Sequence, residues 1–262
     1  MGSKTLLKSL SLLDKFTLDT PTWGLRELAR ELDMSHTIVY RLLSTFEEKG
    51  YIYRDPDTHK YHLGIKFMEL GNIVEDNLRL LEVIQPIMKN IAIETGESVV
   101  LTILDNLEGI FVKIVESDKH VRFAESVGRR SPLYIGASHK TILAYLPKDT
   151  QQKVISQGIA MQVKQIKSEA LFIQQLESIQ EKGWAYSVGE TFEDVSAVAV
   201  PLFDGRGTIV GSLSVAGPVY RLSSEAAQQQ LVILQHYQKE MNAILSNALL
   251  PTRREAFIGN LL

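Results

Sequence analysis

His36, Thr37, Tyr40 and Arg41 bring an imidazole, a hydroxyl, a phenol and a guanidinium to one side of a helical repeat, while Ile38, Val39, Leu42, Leu43 and Phe46 fall on the other. A helix face of this kind has the donors and acceptors that meet base edges in the major groove of double-stranded DNA, where Arg pairs with guanine through two bonds. Ser35 is placed to cap the helix, and Ser44 extends its polar side. Arg26, Arg54, His59 and Lys60 stand at neighbouring helix starts and turns, which suits contact with phosphates or the minor groove.

These side chains need a scaffold, and the flanking pattern supplies one. Leu25, Leu28, Ala29 and Leu32 recur at i, i+3, i+4 and i+7, Asp33-Met34-Ser35 ends that helix, and Gly50 stops the next. Tyr51 to Arg54 and Lys60 to Leu63 then flank Asp55-Pro56-Asp57-Thr58, a strand-turn-strand pattern. Upstream, a helix is expected from Ser3 to Thr17 with Leu6, Leu10 and Leu13 as its apolar face, Leu7 and Phe16 beside them, and Ser3 and Lys4 available to a phosphate. Three helices followed by a hairpin predict a winged helix-turn-helix over 1–64. The alternative is a helical hairpin in an ordinary core with a merely solvated polar face.

Charge alone does not single out a nucleic-acid partner. The 262-residue chain has a formal net charge of -3, and residues 1–64 hold nine Lys and Arg against nine Asp and Glu. Placement decides, since the basic groups gather on the expected recognition side while Glu47 and Glu48 lie at the far end of the helix. With 45% hydrophobic and 23% charged residues the composition is that of a globular protein, long enough for two modest domains. No apolar run reaches the length of a membrane span and no signal-peptide core is evident, so a cytoplasmic protein without membrane association is expected. The absence of Cys excludes disulfides and thiolate metal sites.

Beyond Gly64 a linker helix is expected over 65–79, followed by a second domain over 80–262. Its first helix, about Leu80 to Thr95, contains Pro86 as a kink or a fresh start. Period-two patterns predict strands at Val99 to Leu104, Gly109 to Val115, His120 to Glu125, Ala185 to Val188, Val195 to Leu202 and Ile209 to Ala216. Helices are expected at Ser138 to Tyr145, Thr150 to Ser156, Ser168 to Lys182 and Ser223 to Asn247. Strands grouped into hairpins argue for an α+β domain with a mainly antiparallel sheet.

Within that domain, Gly136-Ala137-Ser138-His139 opens a helix whose first N–H groups can hold an anion or polar group, which suits a small carboxylate. Ser138-His139-Lys140 also invites a nucleophile-base interpretation, but adjacent helical residues point in different directions. Standard hydrolase, nucleotidase and dehydrogenase motifs are absent, so neither an enzyme nor a cofactor is expected. His36, His59, His62, His120, His139 and His236 include no i, i+4 pair, so no metal site is expected. Phe257, Ile258, Leu261 and Leu262 give the tail from Pro251 an apolar end that suits packing against a neighbour.

In its Leu25-Arg26-Glu27-Leu28-Ala29, Ser35 to Leu43, Glu47 to Tyr51 and Tyr61-His62-Leu63-Gly64 blocks, the chain resembles the DNA-binding domain of the IclR (isocitrate lyase regulator) family of bacterial transcription regulators. Gly128-Arg129-Arg130, Lys182-Gly183-Trp184-Ala185, Val198 to Asp204 and Ser214 to Pro218 resemble blocks of that family's effector domain. The resemblance implies a GAF-like effector domain, a homodimer or homotetramer, and operator binding modulated by a small-molecule effector, with a small organic acid expected. It implies an effector pocket at Gly136, Ala137, Ser138 and His139, with Ser187, Glu190, Ala197, Ser214 and Ala216, to which Phe123 adds an apolar wall. Members that sense small keto acids tend to place an acidic residue, a Cys and a second Ser where this chain has Ser187, Ala197 and Ala216, so a more apolar or roomier pocket is expected. The rival readings are a small-molecule enzyme on the same scaffold and an architectural DNA-binding protein with no effector.

Overall fold

Leu12, Leu28, Val39 and Leu43 have no solvent exposure and form the centre around which three helices and a small sheet assemble. They belong to the first of two compact units, Met1–Leu78 and Arg79–Leu262, in a computed structural model that describes residues 2–77, 79–123 and 125–246. The first unit runs α1 (Lys4–Leu13), β1 (Thr22–Trp23), α2 (Leu25–Glu31), α3 (His36–Glu48), β2 (Ile52–Arg54), β3 (Tyr61–Leu63) and α4 (Lys66–Asn77). β3 lies between β1 and β2, antiparallel to both.

Local chemistry fixes the helix starts. Ser3 Oγ accepts the N–H of Leu6, Glu27 Oε2 accepts the N–H of Gly24 at 3.0 Å, and Ser35 Oγ accepts the N–H of Ile38 at 3.4 Å. Asp33 in the α2–α3 turn has φ 49, the left-handed conformation a short-chain polar residue tolerates. In the wing, Asp55 Oδ1 accepts the N–H groups of Asp57 and Thr58 at 2.9 and 2.7 Å, so the turn is held by its own first side chain.

Three details of this unit differ from expectation. Leu6, Leu7 and Leu10 are 57, 58 and 48% exposed and Leu13 is half-buried, while Leu12 with Phe16 makes the core contact. Five leucines between positions 6 and 13 offer two possible apolar stripes, and only packing against α2 and α3 selects one. Ile38 is exposed and Ser44 half-buried, a small rotation of α3 about its axis. β1 is too short to have a period, yet Trp23 pairs with Tyr61 and its indole N–H donates to Lys15 O at 2.8 Å.

The second unit contains α5 (Arg79–Thr95), β4 (Ser98–Asp105), β5 (Glu108–Val115), β6 (Arg130–Pro132), α6 (Gly136–Ala144), α7 (Lys148–Ala160), α8 (Glu169–Lys182), β7 (Ala185–Val188), β8 (Val195–Phe203), β9 (Ile209–Pro218) and α9 (Ser224–Ser246). The strands form one antiparallel sheet in the order β6-β5-β4-β9-β8-β7. β4 and β9 are buried at every position, so both faces of the sheet centre are covered. α6 covers one face and is itself buried at every residue. Gly109 makes the close approach possible, because a Cβ there would lie 2.4 Å from the His139 ring.

The described residues between His120 and Glu125 do not form the expected strand; β6 pairs with β5 instead. Ser98 Oγ donates to Phe123 O at 2.8 Å and accepts the N–H of Ser117 at 3.1 Å, so side-chain bonds rather than a ladder pin this segment to the start of β4. Pro86 lies inside α5, which continues through it. Asn247 and the tail from Pro251 to Leu262 lie outside the described residues.

Leu12→Ala should lower the stability of the first unit by roughly 2–5 kcal/mol, as expected for a core cavity, whereas Leu6→Ala should change the isolated unit by no more than about 0.5 kcal/mol. Urea unfolding of the two variants of residues 1–78 measures the difference, and equal losses would return Leu6 to the core.

Candidate nucleic-acid interface and ligand cleft

α3 presents His36, Thr37, Tyr40 and Arg41 to solvent from the helix that Ser35 caps. Tyr40 is 53% exposed, and Arg26 and Arg41 form no ion pair among the described residues. The hairpin of β2 and β3 carries Arg54, His59 and Lys60, all exposed. Arg54 is oriented from two sides: its Nε donates to His59 O at 3.3 Å and its guanidinium stands 5.7 Å from the centre of the Tyr61 ring. His59 itself has φ 57, which turns the chain at the wing tip. All nine residues expected to meet nucleic acid are thus on the surface of the first unit, seven with free polar side chains and two, Ser35 and Arg54, also bonded to backbone.

In the second unit a cleft opens between the start of α6 and the sheet. Gly136, Ala137 and Ser138 form its rim with Ser187, and Ala197, Ser214, Ala216 and Phe123 form its walls. Their convergence follows from strand register, since Ser187 pairs with Ala197, Ala197 with Ala216, and Ser214 with Val100, placing all five on one face. Val100, Phe111, Thr191, Val195 and Ser196 complete the lining and were not anticipated. Register could have revealed Val100 and Phe111 once the sheet order was known; Thr191 lies in a loop with no periodic signal.

About 390 Å³ of the cleft is free of atoms, part of it open to solvent, but the centres of water-sized molecules reach only about 20 Å³. That is room for about one water, whereas small-ligand pockets run to several hundred Å³. A larger guest must therefore displace side chains. Phe123 and Thr191 border the space, and Phe192 beside them, 6.2 Å from Phe123 and under the Arg129 guanidinium, is 40% exposed. The cleft is not roomy.

Two expected contributions to the cleft are corrected. The first N–H groups of α6 are not open to an anion: Gly136 N donates to Glu190 Oε2 at 2.9 Å, and Ala137 N donates to Ser187 Oγ at 2.9 Å. Glu190 consequently sits behind the rim, with its other oxygen on Lys140 Nζ at 2.5 Å, and Lys140 is only 2% exposed. His139 does not line the cleft; its ring packs against Gly109 and lies behind Phe111, with the two ring centres 5.5 Å apart. Burial holds its pKa down at about 4, so the ring is neutral near pH 7.

Residues 73–242 match the family model described as bacterial transcriptional regulator IclR C-terminal, and residues 5–56 match the IclR helix-turn-helix domain. The chain belongs to the IclR family. It is 33% identical over 217 residues to the HTH-type transcriptional regulator KipR of Bacillus subtilis, covering 82% of this chain and 86% of that one. The crystal structure of an IclR transcriptional regulator from Alicyclobacillus acidocaldarius superposes with a TM-score of 0.82 at 26% identity, over 93% of this chain and 99% of that chain. An IclR homologue from Microbacterium hydrocarbonoxydans complexed with 4-hydroxybenzoate shares the fold, with a TM-score of 0.76 at 20% identity over 94 and 100% of the two chains.

As an IclR regulator the protein binds DNA through its N-terminal helix-turn-helix and a small effector through its C-terminal domain; it is not an enzyme. The family's C-terminal unit here is an α+β domain built on an antiparallel sheet. Among the described residues no cluster of potential metal ligands occurs, and no helix is long and apolar enough to cross a membrane.

His139 links this domain's stability to pH. Its folded pKa lies below the usual 6.5, so the unfolded state binds the proton more readily and stability is lost as pH falls from about 6.5 toward 4. The loss should be on the order of 3 kcal/mol across that interval. His139→Gln should flatten this part of a stability-pH profile measured by urea unfolding; an unchanged slope would assign the acid sensitivity elsewhere.

Proposed function

We propose that α3 reads an operator from the major groove through His36, Thr37, Tyr40 and Arg41, with Ser35 as its cap, while Arg26, Arg54, His59 and Lys60 hold phosphates or the minor groove. The observation that carries this reading is the exposed polar face of α3, whose cationic Arg41 has no ion-pair partner among the described residues. The functional divisions are a DNA-binding domain over 1–64, a linker helix over 65–79 and an effector domain over 80–262. The protein acts in the cytoplasm as a homodimer or homotetramer. Exposed Leu6, Leu7 and Leu10 on α1, with Met68, Ile73 and Val74 on α4, support self-association, because so much apolar side chain on one small unit is unfavourable in water. The effector enters the cleft between α6 and the sheet, and a small organic acid carrying a further polar group, of the kind bound by the Microbacterium homologue, is compatible with its mixture of hydroxyls and aromatic walls.

Coupling between effector and operator requires different ligand affinities in DNA-bound and free states, typically amounting to about 1–3 kcal/mol. No chemical step is needed.

Arg41→Ala should cost about 1–3 kcal/mol on the cognate operator and relax preference at one base position. Electrophoretic titration on cognate and random duplexes measures it; equal losses on both would make Arg41 a phosphate contact. Ser214→Phe should fill the cleft, abolishing both the ligand-induced thermal shift and the response of operator binding while leaving ligand-free DNA affinity unchanged. A normal ligand response in that variant would remove the effector from this cleft.

A further inference from the structure

The hydrogen-bonding capacity around the cleft is one-sided. Ser196 Oγ donates to Leu222 O at 2.6 Å on the sheet face opposite Ala197, and Ser214 Oγ, on the cleft face, donates to Val100 O at 3.5 Å. Ser187 Oγ accepts the Ala137 N–H, and Glu190 accepts the Gly136 N–H. Ser138 Oγ lies 3.1 Å from Nδ1 of the neutral His139 ring. Among the described residues no Lys, Arg, His, Asp or Glu lines the cavity. The nearest cation behind the rim, Lys140, is already matched by Glu190.

A carboxylate brings only lone pairs. Buried in this cleft it would meet Ser214, whose proton is engaged by Val100 O, with no cation among the described lining residues to offset its lost hydration. A hydroxyl brings a proton, and the Ser214 oxygen on the cleft face has lone pairs to accept it. The side chain of Glu190 occupies the Gly136 N–H and the Lys140 ammonium, the pair of groups that would otherwise hold an anion.

We propose that the end of the effector buried against α6 is an uncharged hydrogen-bond donor, a hydroxyl in the simplest case, and that Glu190 determines this choice by acting as the resident carboxylate at the α6 N-terminus. The proposal rests on the assignment of this cleft as the effector site. Any carboxylate on the effector then lies at the cleft mouth rather than at its floor.

Benzyl alcohol and benzoate share a ring and differ in the group offered to the protein, so their thermal shifts on the full chain test the proposal. Wild type should bind benzyl alcohol at least about tenfold more tightly than benzoate, with measurable stabilisation by about 10 mM. Glu190→Gln keeps an acceptor for the Gly136 N–H and leaves Lys140 uncompensated, so benzoate should gain at least about tenfold while benzyl alcohol changes little. Glu190→Ala should show the same reversal more strongly; circular dichroism checks that it folds, and the Gln variant decides the matter if it does not. Ser214→Phe should remove every shift. Benzoate binding wild type as well as benzyl alcohol, with both abolished by Ser214→Phe, would overturn the charge assignment and leave the site standing. Shifts that survive Ser214→Phe would instead refute the site. An alcohol without effect on wild type, or a Glu190→Gln variant with wild-type preference, would also overturn the proposal.

Discussion

One carboxylate settles two problems that burial creates in the second unit. α6 is covered along its whole length, so its first N–H groups cannot turn to water, and Lys140 on the same helix is buried with its ammonium. Glu190 meets Gly136 N with one oxygen and Lys140 Nζ with the other. Left unpaired, a charge as deeply buried as that of Lys140 would be strongly destabilising, so the position of α6 on the sheet depends on this contact. Ser187 completes it by accepting the next N–H, from Ala137.

The cleft inherits its shape from that arrangement. Because Glu190 and Ser187 belong to the segment around β7, the end of α6 is tied to the sheet edge, and the intervening loop lays Thr191 across Gly136, within 3.1 Å of where a Cβ would stand. Gly136 has φ 78, which lets the chain turn into the helix beneath Thr191. The first unit follows another principle: its recognition face depends on no buried charge, only on the Leu28–Val39–Leu43 core and the Ser35 cap, leaving Arg41 and its neighbours free in solvent.

Sequence periodicity was sufficient for most elements because each buries one face. The two helices of the helix-turn-helix, the wing, the β7–β9 strands and the long last helix lie within a few residues of expectation. It failed where the deciding force was not periodic. The leucines of α1 could turn either stripe inward, and His120 to Phe123 alternates like a strand but is held by Ser98 and by its own loop. Eight of the ten residues that the family resemblance placed at the cleft line the space. A helix N-terminus in a sequence looks vacant, and only the fold shows that Glu190, from 54 residues away, fills it; His139 leaves the lining for another reason, its ring being packed against Gly109 and Phe111.

β4 and β9 are neighbours at the centre of the sheet although Val100 and Ser214 are separated by 114 residues. During synthesis the β4–β5 hairpin emerges first, while the strand that must cover the inner edge of β4 follows only after β6, β7, β8 and the helices between them. Until then, the inner edge of a mostly apolar strand stands open, the kind of edge that invites pairing with another chain. Slow, late closure of the sheet centre is the kinetic consequence of this strand order, and it makes the nascent protein most vulnerable to aggregation just before its effector domain is finished.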